Sequence, residues 1–356
     1  MPKLLHKRIK VPSILKIGEG ELQQTGDYFD QYGIQTIACF FSAGIEDLAG
    51  DPFYKSLAKK EIKVIHKETI EETHIETIVR TALNIPGKVQ ALAGIGGGKA
   101  LDYSKYAAHV LNIPFISIPT SLSNDGFCSP TSSLLVNNKK ASLTATIPFG
   151  VIIDLDIVRS APASLVYSGI GDLISKITAG YDWYEAAGKK QADFHDFAYL
   201  ISQNTVREIL YHQNLNIRET AFLYNLANSL LMNGLSMEIA GSSRPASGSE
   251  HLICHAYDQI AKKPSLHGLQ VGLGTYLCSY LQDNQHLQVK NFLLNTGFVS
   301  YLAEHPLNKS NFKEAIRKAP DMKEDFYTIL SDKENIDRAI AFIEQDQVFK
   351  KVLKDH

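Results

Sequence analysis

At 356 residues the chain is longer than a single core usually grows, so two domains are expected. Hydrophobic residues make up 44% and charged residues 21%, an ordinary globular balance. A formal net charge of −2, with no Lys/Arg block interleaved with aromatics, speaks against a nucleic-acid partner. Cys39, Cys128, Cys254 and Cys278 are scattered without CxxC spacing, which fits reduced thiols acting as small core hydrophobes. The opening MPKLLHKRIKVPS has no apolar run of signal-peptide length, and no stretch approaches the ~18 apolar residues of a membrane span. A soluble cytoplasmic protein is the expectation.

Residues 11–17 and 35–42 read as strands, the second a nearly continuous apolar run suited to a buried parallel strand. A helix is expected between them over residues 21–32, ended by Gly33. Residues 61–66 give another strand. Residues 71–84 follow as an amphipathic helix with Ile75, Ile78, Val79 and Leu83 on one side. This alternation predicts a doubly wound, Rossmann-like parallel sheet.

A strand over residues 89–93 then runs into Gly94-Ile95-Gly96-Gly97-Gly98, with a helix from Lys99. Such glycines let a backbone approach a pyrophosphate, and the helix N-terminus offers unpaired N–H groups. Lys99 adds a charge, and Asp102 is read in the first helical turn. The motif is neither a Walker A loop nor GxGxxG, and a ligand-free turn is the plain alternative. The strand at residues 114–119 ends in a polar loop containing Thr120, Ser121, Ser123 and Asp125, at the carboxyl end where ligands of open α/β sheets lie. Residues 132–147 read as a hairpin around Asn137-Asn138, with Lys139 and Lys140 at or just past its tip. A boundary at Pro162 divides an α/β domain, residues 1–161, from an all-α domain, residues 162–356.

In the second half, Ser168-Gly169-Ile170-Gly171 reads as a break before a helix carrying Asp172 in its first turn, where a carboxylate is favoured in any case. Three of the twelve histidines fall within residues 241–274. His251 and His255 are four apart and share a helix face. Ser247 and Glu250 read as a capping box for that helix, and His267 opens the next one. Two helices that each present a histidine near an end can converge on one ion. Residues 281–356 read as amphipathic helices without evident chemistry.

The segments GIGGGKALDYSKYAA, PTSLSNDGFCSP, GIGDLISKITAGYDW, SSRPASGSEHLICHAYD and LHGLQVGLGT, in this order, resemble the superfamily of iron-containing alcohol dehydrogenases, polyol dehydrogenases and dehydroquinate synthase. Within it, they look most like the sn-glycerol-1-phosphate dehydrogenase family. The resemblance implies metal ligands Asp172, His251 and His267, and NAD or NADP as cofactor. It implies nucleotide contacts from Gly97, Gly98, Lys99, Asp102, Thr120, Ser123, Ser132 and Leu134; Gly96 and Ser121 join them from the loops already described. Asp125 would border cofactor and substrate. Iron-dependent members carry a fourth ligand, a histidine one turn after the aspartate, where this chain has Lys176. Three Asp/His ligands with an open position suit zinc, with iron and nickel as other candidates. No acidic residue ends the strand at Phe41-Ser42, and Glu46 and Asp47 lie farther on, so NAD versus NADP stays open.

The activity implied is reduction of dihydroxyacetone phosphate to a glycerol phosphate, in phospholipid biosynthesis. The implied protein is a homo-oligomer whose partner is that small phosphorylated substrate. His255 is either a proton route or a packed core residue. Lys139, Lys140, Lys176 and Arg244 are candidates for the substrate phosphate, Arg244 foremost because it lies in the ligand segment. The alternatives are a glycerol, polyol or alcohol dehydrogenase on the same scaffold, and a carbocycle-forming lyase like dehydroquinate synthase. The lyase family differs in having glutamate as its first ligand.

Overall fold

The computed structural model describes residues 9–355. Residues 1–8, on which the reading of the N-terminal stretch partly rests, lie outside the described residues. The chain forms two compact units: one runs to Thr120 and resumes over Gly126–Ile157, and the other comprises Ser121–Asp125 and the chain from Val158 on. Among the described residues no helix is long and apolar enough to cross a membrane.

The first unit is built on six parallel strands: β1 (Ile14–Gly18), β2 (Thr36–Ser42), β3 (Lys63–Ile70), β4 (Ala91–Gly96), β5 (Phe115–Pro119) and, after a hairpin, β8 (Gly150–Asp154). Their order across the sheet is β1-β8-β5-β4-β2-β3. Between them lie α1 (Thr25–Gln31), α2 (Ile45–Ala58), α3 (Ile75–Asn84) and α4 (Gly98–Leu111). Successive residues of a strand point to opposite faces, and β2 shows helices on both. Phe41 meets Phe53 of α2 edge-on at 6.4 Å between ring centroids, while Phe40 meets Tyr103 of α4 at 5.5 Å. That two-sided burial explains the unbroken apolar run of β2. The hairpin pairs β6 (Thr131–Val136) antiparallel with β7 (Lys139–Thr144). Asn137 and Asn138 both have positive φ, +50° and +62°, as a two-residue hairpin turn demands.

Several sequence expectations are corrected here. The helix α2 was not foreseen. β4 extends through Gly96, so Gly94 and Gly96 are strand residues, Gly97 alone lies between strand and helix, and Gly98 opens α4. Asp102 consequently lies beyond the first turn of α4. Leu83 is 74% exposed, because α3 buries the stripe of Ile78, Thr81 and Ala82 instead.

The second unit is predominantly helical: α5 (Leu155–Ser160) leads into it, followed by α6 (Ala163–Ile174), α7 (Lys176–Gly188), α8 (Asp196–Leu210), α9 (Thr220–Ala240), α10 (Ser249–Ile260) and α11 (His267–Leu281). The remainder adds α12 (His286–Asn295), α13 (Phe298–Glu304), α14 (Lys309–Lys318), α15 (Lys333–Gln345) and α16 (Gln347–Val352). It is not wholly strand-free, since two-residue strands β9 (Leu307–Asn308) and β10 (Leu353–Lys354) pair in parallel.

Gly169 and Gly171 do not break the chain; they sit inside α6. A β-carbon at Gly171 would lie 1.9 Å from Gly268 O, and one at Gly268 would lie 1.8 Å from Ser168 O. The two helices therefore cross with backbones in direct contact, which only glycine permits. Asp172 accordingly falls in the last turn of α6, not the first turn of a new helix. At the start of α10 no side chain caps the helix, so Ser247 does not form the expected box. Glu250 alone does half of that work, accepting the Gly248 N–H at 2.7 Å.

Candidate functional site

Within the second unit, α6, α10 and α11 bring Asp172, His251 and His267 together. His251 Nε2 is 3.5 Å and His267 Nε2 is 3.8 Å from the same oxygen, Asp172 Oδ1. The three potential donor atoms all lie within 4.8 Å of one another. A tetrahedral ion with bonds of about 2.1 Å holds its donors about 3.4 Å apart, so this spacing fits one cation with little movement. Asp172 and His251 are buried, whereas the His267 side chain is 34% exposed, which leaves an approach on one side.

The surroundings set the charge of each member. Burial would raise the Asp172 carboxyl, but Lys176 and His251 outweigh it and hold it well below the usual carboxylate range. Burial would lower His251, yet Asp172 and Glu250 push it up to about 9. For His267, burial and the neighbouring His251 bring it down to about 3. Asp125 offers its backbone N–H to Asp172 Oδ2 at 3.0 Å, and burial together with Asp172 raises its carboxyl.

Lys176 is fully buried. Its ammonium lies 3.0 Å from Asp125 Oδ2 and 3.6 Å from Asp172 Oδ2, and donates to the Asp172 carbonyl at 2.7 Å. Burial would lower it, but the two carboxylates raise it instead. As a phosphate-binding group Lys176 is thereby corrected: it is held between carboxylates. Arg244 is also engaged, donating to Tyr327 O at 2.7 Å with its guanidinium 3.5 Å from the centre of the Phe326 ring. The C-terminal stretch read as chemically silent thus supplies its packing. His255 stands with its ring centroid 6.3 Å from those of both His251 and His267, outside the set of three.

Glu250, Asp182 and Thr178 were missed as part of this site. Asp182 is buried, accepts the Ser249 N–H at 2.7 Å and the Ile329 N–H at 2.8 Å, and is pushed up to about 7 by burial and by Glu250. No local pattern marks it, because its partners come from elsewhere in the chain. Glu250 was visible only as a cap.

In the first unit, Gly96 has φ +146° and a β-carbon there would lie 2.2 Å from Ser42 Oγ. Ser42, at the end of β2, in turn accepts the Gly97 N–H at 3.1 Å. β-Carbons at Gly97 and Gly98 would meet nothing within 4 Å, and no side chain caps α4. An open glycine floor thus lies beside a helix start with unpaired N–H groups, an arrangement that suits a phosphate. Lys99 is exposed there and donates to Glu71 O at 3.3 Å. Thr120 donates its N–H to Gly96 O at 3.0 Å. Ser132 Oγ is buried without a hydrogen-bond partner among the described residues, a polar atom left for a ligand. Asp102 lies 3.3 Å from Lys105, and Leu134 is fully buried in the hairpin opposite Ala141. Ser121, Ser123 and Asp125 belong to the second unit, where Ser123 O accepts the Ser168 hydroxyl at 2.9 Å.

The Asp-His-His set could hold a metal ion, and the model of a family described as iron-containing alcohol dehydrogenase matches residues 16–162. The glycerol-1-phosphate dehydrogenase [NAD(P)+] of Methanosarcina mazei is 33% identical over 330 residues, covering 91% of this chain and 92% of its own. That of Pyrococcus horikoshii is 34% identical over 299 residues, covering 82% and 86%. The chain belongs to the glycerol-1-phosphate dehydrogenase family. Among solved structures, the glycerol dehydrogenase of Schizosaccharomyces pombe superposes with a TM-score of 0.74 at 19% identity, covering 93% of this chain and 89% of that one. Sulfoacetaldehyde reductase from Bifidobacterium kashiwanohense in complex with NAD+ gives 0.73 at 14% identity, covering 95% and 98%. At such identities these two report the fold alone.

Proposed function

We propose that this protein reduces dihydroxyacetone phosphate to sn-glycerol 1-phosphate with NADH or NADPH, and catalyses the reverse. One hydride and one proton are added across the C2 carbonyl, and NAD+ or NADP+ is released. The observation that carries this reading is the convergence of Asp172, His251 and His267 in a chain whose full-length relatives bear that name. Residues 1–161 are read as the nucleotide-binding domain and residues 162–356 as the metal- and substrate-binding domain.

Asp172, His251 and His267 would hold one divalent cation, with zinc the best match to the donor set. Bound there, it supplies Lewis-acid stabilisation of negative charge developing on the carbonyl oxygen. Lys176 keeps the carboxylates of Asp125 and Asp172 in place. His255, one turn from His251, would pass a proton to the product oxygen. Gly96, Gly97, Gly98, Lys99, Asp102, Thr120, Ser121, Ser123, Asp125, Ser132 and Leu134 are read as the nucleotide contacts. For the substrate phosphate, Arg244 retains guanidinium donors beyond the one given to Tyr327, and Lys139 and Lys140 are exposed on the hairpin. We read the assembly as a cytoplasmic homo-oligomer, on the strength of the resemblance.

The test is loss of absorbance at 340 nm with zinc-loaded protein. Oxidation of NADH or NADPH with dihydroxyacetone phosphate, but not with dihydroxyacetone, is the expected result. Equal turnover of the unphosphorylated ketone would sink the substrate assignment. Lys99→Ala is expected to raise the cofactor KM about tenfold or more by removing a charge-assisted contact, with zinc content unchanged. Steady-state kinetics and metal analysis check this pair of outcomes.

Zinc affinity should also depend on pH. His251 is pushed up to about 9, so below that pH a proton occupies the nitrogen a cation needs. His267, down to about 3, and Asp172 are already free of protons at neutral pH. One proton is therefore displaced per ion, and affinity should fall about tenfold for each unit of pH lowered between roughly 8 and 6. Chelator competition across that range measures the slope; a flat profile contradicts it.

A further inference from the structure

The candidate histidines present the same ring nitrogen, Nε2, to Asp172, but they are aimed by different partners. His267 Nδ1 lies 3.2 Å from the Cys254 sulfur. His251 Nδ1 lies 2.9 Å from Glu250 Oε1. Glu250 is fully buried, and both its oxygens have further partners. Oε1 also accepts the Gly248 N–H at 2.7 Å, and Oε2 accepts the Thr178 hydroxyl at 2.7 Å. A carboxylate only accepts, so the Nδ1 facing it must carry the hydrogen, and once the ring is neutral its lone pair is on Nε2. Thr178 stands near the start of α7, one turn beyond Ser175, whose hydroxyl donates to the Asp172 carbonyl at 2.7 Å. One side chain therefore orients His251 and ties α10 to the helix that follows Asp172. The packing makes room for it: a β-carbon at Gly248 would lie 2.7 Å from Asp182 Oδ2 and 3.1 Å from Glu250 Oε2.

We propose that Glu250 is a positioning residue of the metal site: it fixes His251 with Nδ1–H as donor and Nε2 toward the cation, and through Thr178 it sets His251 against Asp172. This rests on the reading of Asp172, His251 and His267 as ligands. A helix cap would need only an acceptor for the Gly248 N–H, which glutamine also supplies; the positioning role uses both oxygens and the negative charge opposite the His251 Nδ1–H, which glutamine supplies only in part.

Zinc dissociation constants, measured by chelator competition on the full chain, separate the two. Glu250→Ala is expected to weaken zinc about 10–100-fold, and Glu250→Gln by less, since one acceptor oxygen survives. NADH affinity should be unchanged in both. In 15N-histidine spectra of the zinc-loaded protein, a solvent-protected Nδ1–H at His251 should be present in the wild type and lost in Glu250→Ala. If Glu250→Ala does not fold, Glu250→Gln carries the decision, and wild-type affinity in it overturns the proposal. Asp172→Asn is the control. If it loses zinc while the folded Glu250 variants keep wild-type affinity, the positioning role fails and the ligand reading stands. If Asp172→Asn itself binds zinc like the wild type, the ligand reading fails and the proposal falls with it.

Discussion

Asp172→Asn is expected to strip the protein of its divalent cation and to lower kcat/KM about a thousandfold or more. The substitution keeps the shape of the side chain and an oxygen for the Asp125 N–H, so the fold is barely disturbed. What goes is the one negative charge that faces both His251 and His267, at 3.5 Å and 3.8 Å. Loss of the electrophile is worth several kcal/mol of barrier, and each 1.36 kcal/mol is about tenfold in rate. NADH binding should fall far less than metal binding, because the glycine turn and Lys99 belong to the other compact unit and an amide oxygen can still accept the Asp125 N–H. Metal analysis, fluorescence titration with NADH and steady-state kinetics together make the test. Stoichiometric metal and full turnover in the presence of chelator would rule out Asp172 as a ligand.

The second large effect is expected at Gly171→Ala. A β-carbon placed 1.9 Å from Gly268 O cannot be absorbed by turning a side chain, since the obstacle is backbone. Helices α6 and α11 would have to part by more than an ångström. Overpacking costs about 1–3 kcal/mol and occasionally more, and this case belongs at or above the upper end. A fall in Tm of about 6–12 °C is the corresponding expectation. Because α6 carries Asp172 and α11 opens with His267, zinc affinity should fall in parallel. Gly188→Ala is the matched control: it lies at the end of α7, a β-carbon there meets nothing within 4 Å, and its Tm should be unchanged. Equal stability of the two variants would show that the helices do not meet as described.

The same glycines show where the sequence was readable and where it was not. Alternating strands and helices announced the parallel sheet, because a buried strand such as β2 must be apolar on both faces. Asn137-Asn138 announced the hairpin, because few residues adopt positive φ in succession. His251 and His267 were legible from spacing and from the chain break between them. Gly169 and Gly171 misled, since their local preference for turns is overridden by backbone far off in the chain, Leu122 for the one and Gly268 for the other. Asp172 was therefore placed at the wrong end of a helix, although the resemblance had grouped it with His251 and His267, which the fold brings beside it. Leu83 misled for a similar reason: an apolar residue near the edge of a helical stripe can be left outside when Ile78, Thr81 and Ala82 are the residues buried as α3 packs on α4. Glu250 was taken for a cap because that half of its role is local, whereas its hold on His251 and Thr178 appears only in three dimensions.

Lys176 has one further consequence. The ammonium sits between two buried carboxylates and is shielded from bulk water, so the charge balance it sets there is little weakened by salt. High ionic strength should therefore leave this buried group of charges intact while it loosens exposed pairs such as Lys55 with Asp51.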